Sequence, residues 1–458
     1  MPGLDELPKL AGGRFVLGGA RVPACLLAEP PAGGPAADAD GLLTVDILVA
    51  DEHVAAIGAT ATRTAAGPHA PTPGEGAPRV ELGGRMVWPC PVDLHTHLDK
   101  GHIWPRAANP DGTFMGALAT VQVDRERNWS AADVAARFEF GLRCALAHGT
   151  CAIRTHLDSL PPQDAISWPV FAELRARWAG RIELQAVSLA MGEHYRGEAG
   201  LALTRRVAAH GGVLGLVPAM GPELDADLDR FLTLAAEHGL DADCHIDETL
   251  DPASETLRRL ALAVLRTRFP GTVVAGHCCS LSRQDGETVR RTLDLVAEAG
   301  IGIVSLPMCN MYLQDRITGR TPRIRGVTLA HELKARGIPV AFASDNCRDP
   351  FYAYGDHDLH EVFREAVRIA HLDHPIGDWP AAVAAVPARL MGLAGQGWIA
   401  VGGPADLVLL TGRAWSEVLS RPEGARTVLR RGRPIATALP NYAELDDLLA
   451  GLDQAAGR

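Results

Sequence analysis

Between residues 87 and 345 the chain alternates two kinds of apolar pattern. Short continuous apolar runs fall at 87–97, 151–157, 182–190, 213–219, 240–247, 272–279, 302–309 and 339–345. Longer stretches at 225–238, 253–267, 287–299 and 327–336 carry apolar residues at helical spacing. Another opens at Ser130-Ala-Ala-Asp133, where a capping box predicts a helix running to Gly149. Strand-length runs separated by helix-length segments predict βα units and a parallel sheet. Eight such units within about 250 residues predict a closed (β/α)8 TIM-type barrel. An open doubly wound sheet is the competing topology, but no Gly-rich phosphate fingerprint follows the first run.

The two ends read differently. Arg14–Val22 and Thr44–Ile57 are apolar runs separated by a Pro/Ala/Gly stretch at 29–41. Residues 59–78 read as an exposed loop, and Val80–Val87, with Gly83-Gly84 inside it, as a hairpin. Beyond the eighth run come helices at about 357–371 and 378–392, then β-like runs at 398–436 and a short terminal helix and tail at 440–458. The order predicts a small β-sandwich built from both chain ends beside the barrel. The domains are then 1–86, 87–395 and 396–458.

A chain of 458 residues can bury a large core, and its net charge of −11 argues against nucleic-acid or anionic-membrane partners. The nine cysteines follow no regular framework, and several sit at apolar strand positions, which suggests reduced thiols. The acidic first residues do not suit a signal peptide, and no run approaches 18 apolar residues. A soluble cytoplasmic protein is expected.

Chemistry enters at PVDLHTHLDK, residues 91–100. His95 and His97 are two apart, so on a strand they point the same way. Two structural histidines would give the same pair, but the other strand ends add to it. The fifth run carries His245, within Cys244-His245-Ile246-Asp247-Glu248; the sixth ends in His277 and the eighth in Asp345. Barrel enzymes place their reactive groups at such ends. His95, His97, His245 and Asp345 form a donor set that suits one Zn²⁺ or Fe²⁺ rather than Ca²⁺ or Mg²⁺. Such an ion lowers the pKa of a bound water, making a hydroxide nucleophile. Asp345 can take that water's proton, His277 can hold the water or an oxyanion, and Glu248 can shuttle a proton onto substrate nitrogen. Glu248 could equally be a helix-start carboxylate favoured by the dipole. The only lysines are Lys9, Lys100 and Lys334, so the fourth run offers no lysine to bridge two ions, which favours a mononuclear site and deamination.

The motifs HTH (95–97), HIDE (245–248), GHCCS (276–280) and SDNCRDPF (344–351) resemble the amidohydrolase superfamily, and more closely its cytosine deaminase-like branch. RTHLD (154–158), NMYLQDR (310–316), ARLMGL (388–393) and GWIAVGGPADLVLL (397–410) extend the resemblance from about Val80 to Arg433. The resemblance implies a mononuclear metal on His95, His97, His245 and Asp345. It also implies Glu248 as proton shuttle, His277 beside the attacking water, and a homo-oligomer. Water then adds to an amino-bearing ring carbon and ammonia leaves.

Three positions depart from the cytosine deaminase pattern in the expected substrate pocket: Met191 for a pyrimidine-holding Gln, Asn346 for a second Asp, and Phe351 for a Trp. Met191 cannot pair with an amide edge. A larger or differently functionalised aminated heterocycle than cytosine, such as a pterin, a purine-like ring or a triazine, is therefore a candidate small-molecule substrate. The alternative reaction is cleavage of another C–N bond, such as N-alkyl release from an aminotriazine. Residues 101–129 have the length of a lid, and Arg316, Arg320, Arg323 and Arg325 could meet carbonyl oxygens or an anionic substituent, or simply face solvent.

Overall fold

The computed structural model of the chain describes Leu7 and residues 13–30, 36–59, 74, 76–421 and 424–450. Most of the loop expected at 59–78, part of 29–41 and the tail beyond residue 450 lie outside the described residues. In chain order the strands are β1 (Phe15–Pro23), β2 (Leu42–Ala50), β3 (His53–Ala59), β4 (Arg79–Glu81), β5 (Val87–Pro89), β6 (Val92–Thr96), β7 (Ala152–Asp158) and β8 (Glu183–Leu189). They continue with β9 (Leu214–Leu216), β10 (Ala242–Ile246), β11 (Val273–His277), β12 (Gly302–Ser305), β13 (Val340–Phe342), β14 (Leu407–Leu410), β15 (Arg426–Arg430) and β16 (Arg433–Pro434). The chain divides into two compact units.

One unit comprises Met1–Val92, Leu146–Cys151 and Leu359–Leu439. It holds two four-stranded sheets, ordered β3-β2-β1-β4 and β16-β15-β14-β5. Alternate residues of these strands, among them Phe15, Leu17, Val45, Ile47, Leu407 and Leu409, meet in one buried apolar cluster. Two local expectations fail here. The run Thr44–Ile57 is two antiparallel strands, because Asp51 and Glu52 take positive φ (50° and 71°) and turn the chain back. The stretch Val80–Val87 is not a hairpin: β4 pairs in parallel with β1, and β5 pairs antiparallel with β14. Gly83 and Gly84 (φ 61° and 81°) instead pass the chain from one sheet to the other.

The other unit comprises Asp93–Ala145, Ala152–Asp358 and Pro440–Arg458. It is α/β, with a parallel sheet ordered β13-β12-β11-β10-β9 and a three-stranded sheet ordered β6-β7-β8. Single parallel bridges join Val187 to Val213, Met191 to Val217, and Thr96 to Asp345. The first run, expected as one strand over 87–97, breaks between β5 and β6, because Pro89 and Pro91 have no N–H to give a ladder. The run 302–309 stops at Ser305 and Pro307 opens a helix, Pro307–Leu313, with its ring at the first turn. Helix Ala131–His148 begins where the capping box placed it, with Asp133 N–H donating to Ser130 Oγ at 3.2 Å. Within 101–129 the second half is helix Phe114–Asn128, capped by Thr113 Oγ1, which accepts from Gly116 N–H at 3.0 Å.

Beneath the strand ends lies a buried ion pair, Arg154 on β7 with Asp243 on β10, at 3.0 Å and with both side chains 1% exposed or less. Removing one member strands the other charge in the interior. Asp243→Ala is expected to destabilise the fold by about 3–5 kcal/mol. Chemical denaturation followed by circular dichroism checks this, and a change under 1 kcal/mol contradicts it.

Candidate metal centre

On β6 side chains alternate, so Asp93 and His95 share one face, and His97 stands one residue past the strand's carboxyl end. Asp93 is buried at the base, accepting from Ser344 Oγ at 2.5 Å and Ser344 N–H at 3.2 Å. This ties the end of β6 to the segment after β13. Asp345 follows at once, in left-handed backbone (φ 61°), with its N–H donating to the His95 carbonyl at 2.9 Å. Thr96 Oγ1 donates to the Asp345 carbonyl at 2.8 Å. An Asp tolerates that φ better than most residues, and the backbone contacts hold it there.

The side chains then converge. Asp345 Oδ1 lies 3.3 Å from His97 Nε2 and 3.7 Å from His95 Nε2. His245 Nε2 faces His97 Nε2 at 3.4 Å. The His95 ring lies 4.6 Å from that of His245 and 5.5 Å from that of His277, centroid to centroid. His95, His97 and Asp345 offer donor atoms within 4.8 Å of one another, as do His95, His245 and His277. All but the partly exposed His245 are buried, 3% exposed or less. Neither ring nitrogen of His95, nor either carboxylate oxygen of Asp345, has a hydrogen-bond partner among the described residues. The Cys309 thiol lies beside Asp345.

Burial and mutual proximity set the protonation states. Burial first, then the neighbouring imidazoles and Lys100, hold His95, His97 and His245 well below the usual histidine range, so they are neutral lone-pair donors. Burial also pushes Asp345 up to about 7. Unpaired neutral nitrogens aimed at an unpaired carboxylate are costly in a core. Together they form an N/O donor set of the kind that holds a divalent transition metal.

Two further groups adjoin this cluster. His277 ends β11 in left-handed backbone (φ 69°), and burial lowers it to about 3. Its Nδ1 lies 2.9 Å from Asn310 Nδ2 and 3.4 Å from Glu248 Oε1. Asn310 also donates to Glu248 Oε1 at 3.3 Å. Burial, with the nearby Asp345 charge, lifts Glu248 well above the carboxylate range, which favours its protonated form. Asp247 faces away: its carboxylate caps the next turn, accepting from Thr256 N–H at 3.0 Å and Leu257 N–H at 3.0 Å. The helix-start role considered for Glu248 belongs to its neighbour.

A profile of the amidohydrolase family matches residues 142–436. The chain is 55% identical over 437 residues to a pterin deaminase of Rhizobium rhizogenes, covering 95% of this chain and 97% of that one. It is 23% identical over 370 residues to an N-isopropylammelide isopropyl amidohydrolase of Pseudomonas sp., covering 78% and 87%. Among solved structures, a 5-methylcytosine deaminase of Klebsiella pneumoniae superposes with a TM-score of 0.76 at 23% identity, covering 92% and 97%.

The chain belongs to the amidohydrolase family.

In this amidohydrolase the residues expected to meet substrate occupy different settings. Phe351 is buried beside the cluster, with Lys100 Nζ 5.5 Å from its ring centre and Phe114 edge-on at 5.5 Å. Asn346 is held by Asp349, its Nδ2 donating to Oδ2 at 2.7 Å. Met191 is half-buried at the end of β8, bridged to Val217. Of the arginine-rich loop, Arg316 lies over Tyr312 and donates to its carbonyl at 2.6 Å, while Arg320 pairs with Asp315.

Two site neighbours escaped the sequence reading. Lys100 is 4% exposed, and its Nζ lies 3.1 Å from Asp158 Oδ1; its charge reaches His97, His245, Glu248 and Asp345. The signal was present: one of only three lysines in the chain stands three residues after His97. His156, on β7, stacks 3.9 Å from His95 with both nitrogens unpartnered among the described residues. Its place within RTHLD marked it, but a strand-middle histidine looks like core until the neighbouring strands are in place.

Proposed function

We propose that the chain is a hydrolytic deaminase whose substrate is a pterin, with water replacing the ring amino group and ammonia leaving. The carrying observation is the 55% identity, over 95% of this chain, to a pterin deaminase. Deamination of a heterocycle by an amidohydrolase also agrees with the charge states of the site. For architecture, our reading is a closed (β/α)8 barrel over 87–395 with a small β-sandwich from 1–86 and 396–458. The parallel bridges at Val187–Val213 and Thr96–Asp345 support closure.

The unpartnered nitrogens and carboxylate oxygens fit a divalent ion held by His95, His97, His245 and Asp345. Such an ion lowers the pKa of a water ligand toward neutrality. Zn²⁺ and Fe²⁺ both suit the donors. The protein's own groups then handle the protons. Glu248, whose protonated form burial favours, can give its proton to a ring nitrogen next to the amino-bearing carbon. Asn310 holds its carboxyl in place, donating to Oε1 at 3.3 Å. Asp345, beside that ion, can take the proton of the attacking water. The Phe351 ring supplies a flat apolar wall for a planar heterocycle, and Lys100 a cation for its carbonyl edge. The substrate is a small molecule, and no helix among the described residues is long and apolar enough to cross a membrane.

An ammonia-release assay across pterin, cytosine, guanine and an N-alkyl aminotriazine tests the reading. Pterin is expected to turn over at least tenfold faster than cytosine. Release of an alkylamine from the triazine, with no ammonia from any ring, would instead support the alternative C–N cleavage.

A further inference from the structure

Next to the centre described above lies a second cluster that uses none of its residues. His102 stands five residues after His97, Cys347 two after Asp345, and His357 just before helix Leu359–Ala370. Each is 1% exposed. One donor atom from each lies within 4.8 Å of the other two.

His102 is the informative member. Both of its ring nitrogens are buried and without a hydrogen-bond partner among the described residues. An imidazole always presents one N–H and one lone pair, or two N–H groups. Leaving each unmet in a core is costly. His102 also takes φ 65° and His357 φ 56°, left-handed backbone that is uncommon for a ring side chain. Such strain persists only where the surroundings over-determine it. Burial, with the adjacent His357, keeps His102 neutral, the form that offers a lone pair.

We propose that His102, Cys347 and His357 form a second divalent-metal site, of the Cys/His type that takes Zn²⁺. Two imidazoles and a sulfur exclude Ca²⁺ and Mg²⁺, which prefer oxygen donors. A structural zinc site needs a fourth donor. The chain neighbour of His357, Asp356, which accepts from Tyr442 Oη at 3.0 Å, is the candidate for it. Thr96 Oγ1, 3.4 Å from His357 Nδ1, orients that ring and at the same time donates to the Asp345 carbonyl. The ion would clasp the segment after β6 to the segment after β13. Those segments already share backbone bonds, His102 N–H to Cys347 O at 3.0 Å and Trp104 N–H to Arg348 O at 2.8 Å. Both carry donors of the first centre, so the second ion would brace them.

The test is metal stoichiometry by elemental analysis of full-length protein stripped with a chelator, refilled with Zn²⁺ and desalted. Wild type is expected to hold two equivalents, and His102→Ala, Cys347→Ser and His245→Ala one each. Refilling with Co²⁺ should give a thiolate-to-cobalt charge-transfer band in the near ultraviolet. The band should survive His245→Ala and vanish in Cys347→Ser. This readout covers the case in which His102→Ala does not fold. One equivalent in wild type, two in Cys347→Ser, or a band that persists in that variant overturns the proposal. Wild type with a single equivalent that His245→Ala removes would overturn the second site while leaving the deaminase reading intact.

Discussion

Glu248→Gln is expected to lower the rate of ammonia release by about 10³-fold, within the 10²–10⁴ range that general acid–base catalysis contributes, while leaving the metal in place. The amide keeps the shape of the carboxyl and can still accept from Asn310 Nδ2, which lies 3.3 Å from Glu248 Oε1. It cannot deliver the acidic proton that burial and the Asp345 charge keep on Glu248. Single-turnover kinetics beside elemental analysis separate the two properties. A variant that loses its metal would place Glu248 among the ligands and cancel its role as proton carrier. A variant of near wild-type rate would leave the proton transfer to another group.

His245→Ala should have the second large effect, on binding rather than on the chemical step. Its Nε2 faces His97 Nε2 at 3.4 Å, so one ion can meet both nitrogens. Its ring also lies 4.6 Å from that of His95. Removing it takes one of three imidazoles from the set, and affinity for Zn²⁺ should fall by at least about 100-fold, since outer-shell partners alone are worth 10–100-fold. Chelator competition measures this directly. Full retention of that ion under mild chelation would remove His245 from the centre.

Much of the fold was legible in order and type. Each of the eight apolar runs contains a strand, because a strand buried on both faces leaves a continuous apolar signature. The failures are local and share a cause. Pro89 and Pro91 split the first run, and Pro307 turned the end of the seventh into a helix, since a missing N–H overrides apolar character. Helix Phe114–Asn128 was hidden because its exposed Met115, Leu118 and Val123 blur the helical spacing.

By itself the sequence determined which residue types stand at the strand ends: His95 on β6 and His97 just past it, His245 on β10, His277 on β11 and Asp345 just past β13. Spacing along a strand and the alternation of strands with helices are properties of the chain read in one dimension. Only the tertiary structure decided which of these groups face one another, that Glu248 rather than Asp247 reaches the cluster, that Lys100 and His156 border it, and that His102 and His357 meet Cys347 nearby. Those outcomes depend on burial and on distances between residues up to about 250 positions apart, and burial is what shifts the protonation states of the site.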